Sequence, residues 1–331
     1  MKAGRQATLC DQVAISGIGV HSGLPVTLTL HPADPNSGII FVRSGNKGRY
    51  EREVRADVRA VTATEFQTVL GDASGPLVCT SEHVLAAIRG LGIDNVIVEL
   101  DGPEAPIGDG SAAPFVAAID QVGIVTQSAP RRYLQVLKPV RVTQKDGSYG
   151  ELRPYAKGFR LETEIEFEHP LIGRQSLALD IEPQAFRREL ARARTFGFMR
   201  DVAKLWSAGF ALGASFENTL VVNEDRLLNP DGLRFADEFA RHKALDAIGD
   251  LALAGAPLLG VYRSVRGGHK LNHAVLSALM ADPSAWVLVE GPELRPEIRQ
   301  ETRQEAPRRT IRGHADLATG LAAPAYGPDV S

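Results

Sequence analysis

The spacing of apolar and polar residues changes several times along the 331-residue chain. In VTLTLHP, Val26, Leu28 and Leu30 alternate with threonines, which predicts a half-buried strand, and GIIFVR follows after a Pro-Asn-Ser-Gly turn. The charged stretch NKGRYEREVRADVRAVTATEFQTVL predicts a small strand-rich insertion over about residues 43–69. SEHVLAAIRGLG then predicts a helix, with Ser81 as N-cap and Gly90 and Gly92 as stops. The strand NVIVEL follows at once, and APFVAAIDQVG predicts a second short helix. QSAPR, Gln127 to Arg131, is polar and contains proline, which predicts a linker.

Strands restart in LQVLKPVRVT and FRLETEIEFEH. In the latter, Phe159, Leu161, Thr163, Ile165 and Phe167 alternate with Arg160 and four glutamates, so the glutamates read as a solvated face rather than a metal site. PQAFRRELARAR has helical spacing, and FADEFARHKALDAIGDLALAG is the strongest helix of the chain, followed by the strand PLLGVYRSVRG. Both halves therefore run strands, then a His-bearing helix with an Ala-Ile pair, then a strand. Beyond about Arg295 the chain is charged, punctuated by Pro and Gly, and without periodicity, which predicts a disordered tail. These elements predict an α+β protein with an N-terminal domain over residues 1–127 and a C-terminal domain over 128–294.

Composition narrows the class. With 44% hydrophobic and 23% charged residues the chain has the make-up of a globular protein, and its length suggests two domains. A net charge of -3 offers no bulk attraction to nucleic acid or to an anionic membrane. Cys10 and Cys79, the only cysteines, make neither a disulfide framework nor a thiolate metal cluster, which fits a reducing cytoplasm. The N-terminal stretch lacks an apolar signal core, and LALAGAPLLGVY is too short and broken to span a bilayer.

Candidate chemistry concentrates in RHKALDAIGD. His242, Asp246 and Asp250 fall within a stripe of roughly 80° on a helix, while Leu245, Ile248 and Ala252 lie on another face. The expectation is that the core packs on that second face and the stripe looks into a cleft. A His and an Asp one turn apart can share one first-row divalent ion, although a polar surface stripe would carry the same spacing. His83 follows Glu82 at a helix start, so a carboxylate stands next to a candidate ligand, where a general base is needed. His269 in RGGHKLNH sits on a glycine-preceded turn and is a candidate acid/base. His21 stands in the glycine-rich GIGVHSG as a candidate substrate contact. No HExxH, CxxC, P-loop or nucleophile elbow is present. Spacing alone reaches a possible metal hydrolase.

Taken together, GIGVHSG, TSEHVLAAIRGLGIDNVIVELDGPEAPIGDGSAAPF, ARTFGFMRDV, LLNPDGLRFADEFARHKALDAIGDL and GGHKLNH closely resemble the zinc-dependent UDP-3-O-acyl-N-acetylglucosamine deacetylases, the LpxC family. The motifs occur in order from about residue 4 to 290; residues 43–69 match only loosely and the tail not at all. The resemblance implies two domains of similar topology, their helices sandwiched between two sheets, each domain carrying a small insertion. It implies one zinc ion per chain on His83, His242 and Asp246, a donor set that also accommodates ferrous iron. Glu82 would be the general base and His269 the general acid and oxyanion stabiliser, with Asp250 paired to it. Lys243 and Thr195 would assist the transition state. Phe196 would line the substrate site, and the second insertion, about residues 197–226, would enclose an acyl chain through Phe198, Met199, Val202, Phe210 and Phe216. The implied activity is removal of the N-acetyl group of UDP-3-O-acyl-N-acetylglucosamine, the committed step of lipid A biosynthesis in Gram-negative cells, by a monomeric cytoplasmic enzyme. Two alternatives stay open: a zinc amidohydrolase for another N-acetylated sugar or lipid, and a non-catalytic carbohydrate-binding or structural protein with a closed metal site.

Overall fold

The computed structural model describes residues 4–45, 50–155 and 157–291. Strands β1 (Arg5–Leu9), β2 (Val13–Ile18), β3 (Pro25–Pro32), β4 (Ile39–Ser44) and β5 (Tyr50–Arg55) come first, then three short strands, β6 (Val61–Ala63), β7 (Val69–Asp72) and β8 (Gly75–Val78). Helix α1 (Glu82–Gly90), β9 (Val96–Leu100) and α2 (Ala113–Val122) complete this half. The second half runs through β10 (Ile124–Pro130), β11 (Arg132–Val136), β12 (Val140–Thr143), β13 (Tyr149–Arg153), β14 (Phe159–Phe167) and β15 (Gly173–Asp180). After them come α3 (Pro183–Ala185), β16 (Phe196–Phe198), α4 (Val202–Ser207), β17 (Leu220–Asn223) and β18 (Arg226–Leu227). The chain closes with α5 (Glu238–Leu251), β19 (Leu258–Val265), α6 (His269–Ala281) and β20 (Trp286–Glu290).

The fold is α+β, with the helices layered between two larger sheets. A five-stranded sheet has the order β2-β3-β9-β4-β5, and a seven-stranded sheet is built around β19, which pairs with β11, β13 and β14. β4 and β9 are parallel, so the chain between them must cross over, and that crossover contains α1. The period-two readings correspond to burial: Val26, Leu28 and Leu30 point inward on β3, and Leu161, Thr163 and Ile165 on β14. The β14 glutamates turn the other way and meet arginines, as in Arg153–Glu162 at 2.9 Å and Arg174–Glu164 at 3.0 Å.

α5 packs against α1, α6 and β14, so nearly every position is buried, from Phe239 to Leu251. The expected division into a core face and a cleft face holds in part: His242 and Asp246 line a cavity, but the stripe is as buried as the core face. Leu245 and Ile248 are enclosed, each contributing about 2 kcal/mol, but His242, Asp246 and Asp250 are just as buried. A helix this enclosed offers its polar stripe only to other protein groups or to a ligand.

Three further expectations change. Gln127 to Arg131 is not a linker: it lies largely within β10, antiparallel to β1. Gln127 bonds Asn95 at 2.6 Å and the Ala33 carbonyl at 2.7 Å, and buried Arg131 clasps Asp94 at 2.6 Å. Ser81 precedes α1 but does not cap it; its hydroxyl donates to the Thr68 carbonyl at 3.0 Å instead. PQAFRRELARAR is helical only through α3 and a π turn over Phe186–Leu190, after which the chain extends toward the site. The second insertion folds as β16, α4, β17 and β18, and the first spans β5 to the start of β7. Residues 46–49 and the tail from 295 lie outside the described residues. No described helix is long and apolar enough to cross a membrane.

Candidate metal centre and active site

α1 and α5 meet backbone to backbone, and their crossing assembles the site. His83, at the start of α1, faces His242 on α5 with ring centroids 5.1 Å apart. Asp246, one turn on, places Oδ1 3.3 Å from His242 Nε2 and 3.7 Å from His83 Nε2. One donor atom from each of the three lies within 4.8 Å of the others. Donors around a four-coordinate zinc, ~2.0–2.1 Å from the ion, stand about 3.3 Å from one another, so the spacing fits one small cation.

The hydrogen bonding around these three groups suits a bound cation. Asp246 Oδ1 is buried with no donor among the described residues, although Lys243 Nζ binds the other oxygen at 2.9 Å. A buried carboxylate oxygen without a donor is costly unless a cation completes it. His242 donates Nδ1–H to the Ala193 carbonyl at 3.0 Å, which leaves Nε2 as the lone-pair nitrogen toward Asp246. Burial pushes His242 down to about 3, against the pull of Asp246, so its imidazole is neutral as a ligand must be. Burial works against the charge on Asp246 too, but His242 and Lys243 hold it well below the usual carboxylate range. His83 Nδ1 is buried without a partner among the described residues.

Around this trio stand the proton-handling groups. Glu82, 2% exposed, lies 3.8 Å from His269 Nε2 through Oε1, and burial raises its pKa. His269 Nδ1 meets Asp250 Oδ2 at 3.0 Å. Burial alone would lower His269, but Asp250 and Glu82 outweigh it and hold the imidazole up to about 9. Lys243 is half-buried, and desolvation works against its charge, yet Asp246 keeps its pKa above the usual value, and its ammonium lies 5.6 Å over the Phe196 ring.

These groups open on a cavity of about 210 Å³, lined also by His21, Phe66, Thr80, Thr195, Phe196, Leu205, Ala211, Ala214 and Thr219. Of the aromatic and aliphatic residues expected along an acyl path, Phe210 packs edge-on against His21 and Phe66 at the cavity rim. Phe198, Met199, Val202 and Phe216 are not among the lining residues. Phe198 packs against Phe167 and His169, while Met199 and Phe216 are 48% and 50% exposed. Leu205, Ala211 and Ala214 are the lining residues from α4 and the turn after it.

Several site residues escaped the sequence reading. Glu104, 1% exposed, accepts from the amides of His21 and Ser22 at 2.9 and 2.8 Å and from the Thr80 hydroxyl at 2.8 Å, fixing the GIGVHSG loop. Gly19 is required there, since a Cβ would come within 2.1 Å of the Glu104 carboxylate. Asn272 donates to Asp250 Oδ2 at 2.8 Å, and its i,i+3 spacing from His269 on α6 was a readable signal. Arg194 and Glu238 form a buried ion pair at 2.9 Å that pins the residues on either side, Ala193 and Thr195. Thr68 gave no signal at all. Backbone strain also gathers here. Four of the five non-glycine residues with positive φ among those described, Phe66, Thr80, Ala211 and Arg266, border the cavity or precede a site residue by two or three positions. Each costs about 1–2 kcal/mol, which the surrounding bonds must offset.

The comparisons agree with this geometry. Residues 6–281 match the family model described as LpxC: UDP-3-O-acyl N-acetylglycosamine deacetylase. Proteins named UDP-3-O-acyl-N-acetylglucosamine deacetylase from Brucella ovis, Brucella abortus and Brucella melitensis are each 52% identical over 286 residues, covering 86% of this chain and 98% of theirs. The matched span holds every element that builds the site, and the chain belongs to the LpxC family of UDP-3-O-acyl N-acetylglycosamine deacetylases, a family of hydrolytic enzymes.

Proposed function

We propose that the protein is a zinc-dependent deacetylase that hydrolyses the N-acetyl group of UDP-3-O-acyl-N-acetylglucosamine to acetate and the free amine, in the cytoplasm, as the committed step of lipid A biosynthesis. The observation that carries the reading is Asp246 Oδ1, buried and without a donor between two imidazoles and beside Glu82. His83, His242 and Asp246 would hold the metal, which supplies Lewis acidity for the acetamide carbonyl and its attacking water.

The chain's own residues do the rest. Glu82, its proton affinity raised by burial, takes the proton of the attacking water. As the carbonyl carbon becomes tetrahedral, the Thr195 hydroxyl and the Lys243 ammonium stabilise the developing oxyanion. His269, held by Asp250 and protonated at neutral pH, donates from Nε2 to the departing nitrogen, the C–N bond breaks, and acetate and amine leave. The sugar would sit over Phe196 and His21, and the acyl chain would pass Leu205, Ala211 and Ala214.

Deacetylation of UDP-3-O-acyl-N-acetylglucosamine, measured before and after chelation and with zinc or ferrous iron restored, tests this. Turnover that falls on chelation and returns with metal is expected. Metal-loaded protein that leaves this substrate intact refutes it, and turnover only on another N-acetylated sugar or lipid selects the rival amidohydrolase.

A further inference from the structure

Thr68 lies between β6 and β7, is 2% exposed, and spends every polar group it has on the active-site machinery. Its amide donates to Glu82 Oε2 at 3.0 Å. Its hydroxyl donates to Asp250 Oδ1 at 2.6 Å. Its carbonyl accepts from the amide and hydroxyl of Ser81, the residue before Glu82, at 3.2 and 3.0 Å. Gln67, one residue earlier, brings its side-chain amide to 2.9 Å from Thr80 Oγ1, whose proton goes to Glu104. The turn that bears Thr68 is thus stitched to the start of α1 along its length. The left-handed Phe66 and Thr80, with φ of 62° and 53°, stand two residues before Thr68 and Glu82.

We propose that Thr68 is a positioning residue that couples the two carboxylates of the proton relay, setting Glu82 through its amide and Asp250, and through it His269, by its hydroxyl. The roles it couples rest on the deacetylase reading; the coupling itself rests on distances. Asp250 receives three side-chain donors. His269 Nδ1 and Asn272 Nδ2 both bind Oδ2, and Thr68 alone among the described residues binds Oδ1. The third stands on the oxygen those two leave without a partner, so that all three together set the plane of the carboxylate and the direction in which the His269 ring points. A hydrogen bond to a buried charge is among the stronger ones, and its loss leaves an oxygen that water cannot reach.

Thr68→Val removes the hydroxyl and keeps both shape and amide; Thr68→Ser keeps the hydroxyl. Thr68→Val should lower kcat on the order of tenfold to a hundredfold, with KM and bound metal unchanged, and Thr68→Ser should recover most of that loss. An independent readout uses the metal-free protein: the hydrogen-bonded Nδ1 proton of His269, followed by NMR, should move downfield in Thr68→Val, as Asp250 turns more of its charge to the ring, and stay near its wild-type position in Thr68→Ser. If Thr68→Val does not fold, the same comparison is made between Thr68→Ala and Thr68→Ser. An unmoved resonance, or a serine variant as impaired as the valine one, overturns the coupling. Absence of turnover by the wild-type protein would count against the deacetylase reading and leave the resonance test standing.

Discussion

Gly249 offers the sharpest test of how the site is assembled. It lies on the face of α5 turned to α1, where a Cβ would stand 2.0 Å from the Glu82 carbonyl oxygen, 2.7 Å from its carbon and 2.9 Å from its Cα. All three are backbone atoms, so no side chain can swing aside. For Gly249→Ala to reach even the 3.0 Å at which real contacts begin, α1 must back away from α5 by about 1 Å. That movement separates Glu82 and His83 from His242 and Asp246; His83 Nε2 now stands 3.7 Å from Asp246 Oδ1 across the crossing. A misplacement near 1 Å costs on the order of a hundredfold in rate. The overpacking itself should cost about 1–3 kcal/mol, or roughly 2–5 °C in Tm for a body of this size. The assay is kcat at saturating substrate with metal in excess, together with bound metal and the calorimetric Tm. A Gly249→Ala protein whose Tm falls while kcat and metal binding stay at wild-type values would show that the helix crossing does not set the donor spacing, and the reasoning would be wrong.

Other substitutions separate the roles. Asp246→Ala should lose bound metal while Asp250→Asn keeps it, as measured by atomic emission on purified protein; a metal-free Asp250→Asn reverses the division between the two aspartates. Glu82→Gln should lower kcat by about two to four orders of magnitude with metal content near normal, and loss of metal would instead make Glu82 a ligand. His269 is raised from 6.5 to about 9 in the folded state, so in the metal-free protein its contribution to stability is complete below pH 6.5 and lost as pH rises through about 9. The Tm gap between wild type and His269→Gln should therefore narrow over that range, and a gap that stays flat contradicts the assignment. Arg131→Met leaves the buried Asp94 carboxylate without the cation that clasps it at 2.6 Å and should cost about 3–5 kcal/mol; a denaturant midpoint equal to wild type would return residues 127–131 to the status of a loose connection.

What could be read in advance depended on how local the signal was. His242, Asp246 and Asp250 are one helical turn apart, so their shared stripe needed only the period of a helix. Periodicity could not divide their labour, because that depends on His83, His269 and Thr68, which reach the stripe from other elements, as well as on Lys243 beside it on α5. The strands β3 and β14 announced themselves by alternation, since each buries one face. β10 did not: its partner β1 lies more than a hundred residues earlier, its residues are mostly exposed, and nothing local distinguishes such an edge from a linker. Ser81 carried a cap's residue type but lost its hydroxyl to Thr68, a tertiary competitor invisible to a local rule. The apolar residues near 198–216 were expected along a passage from the resemblance of the segment, which says nothing of which side chains line it; Leu205, Ala211 and Ala214 are the ones that do.

In the proposed metal site the donors come from helices half a chain apart, α1 and α5, and this reaches beyond catalysis. No segment that stops short of Asp246 can gather them, so a growing chain cannot take up the ion until most of the molecule has been made and has collapsed. Closing so long a loop is entropically costly, and the ion rewards only the state in which it is closed. By mass action the bound ion then adds about 4 kcal/mol when free metal is a thousandfold above its Kd. The unfolding temperature becomes a gauge of available metal, and a cell short of it would hold molecules that are closer to unfolding as well as idle.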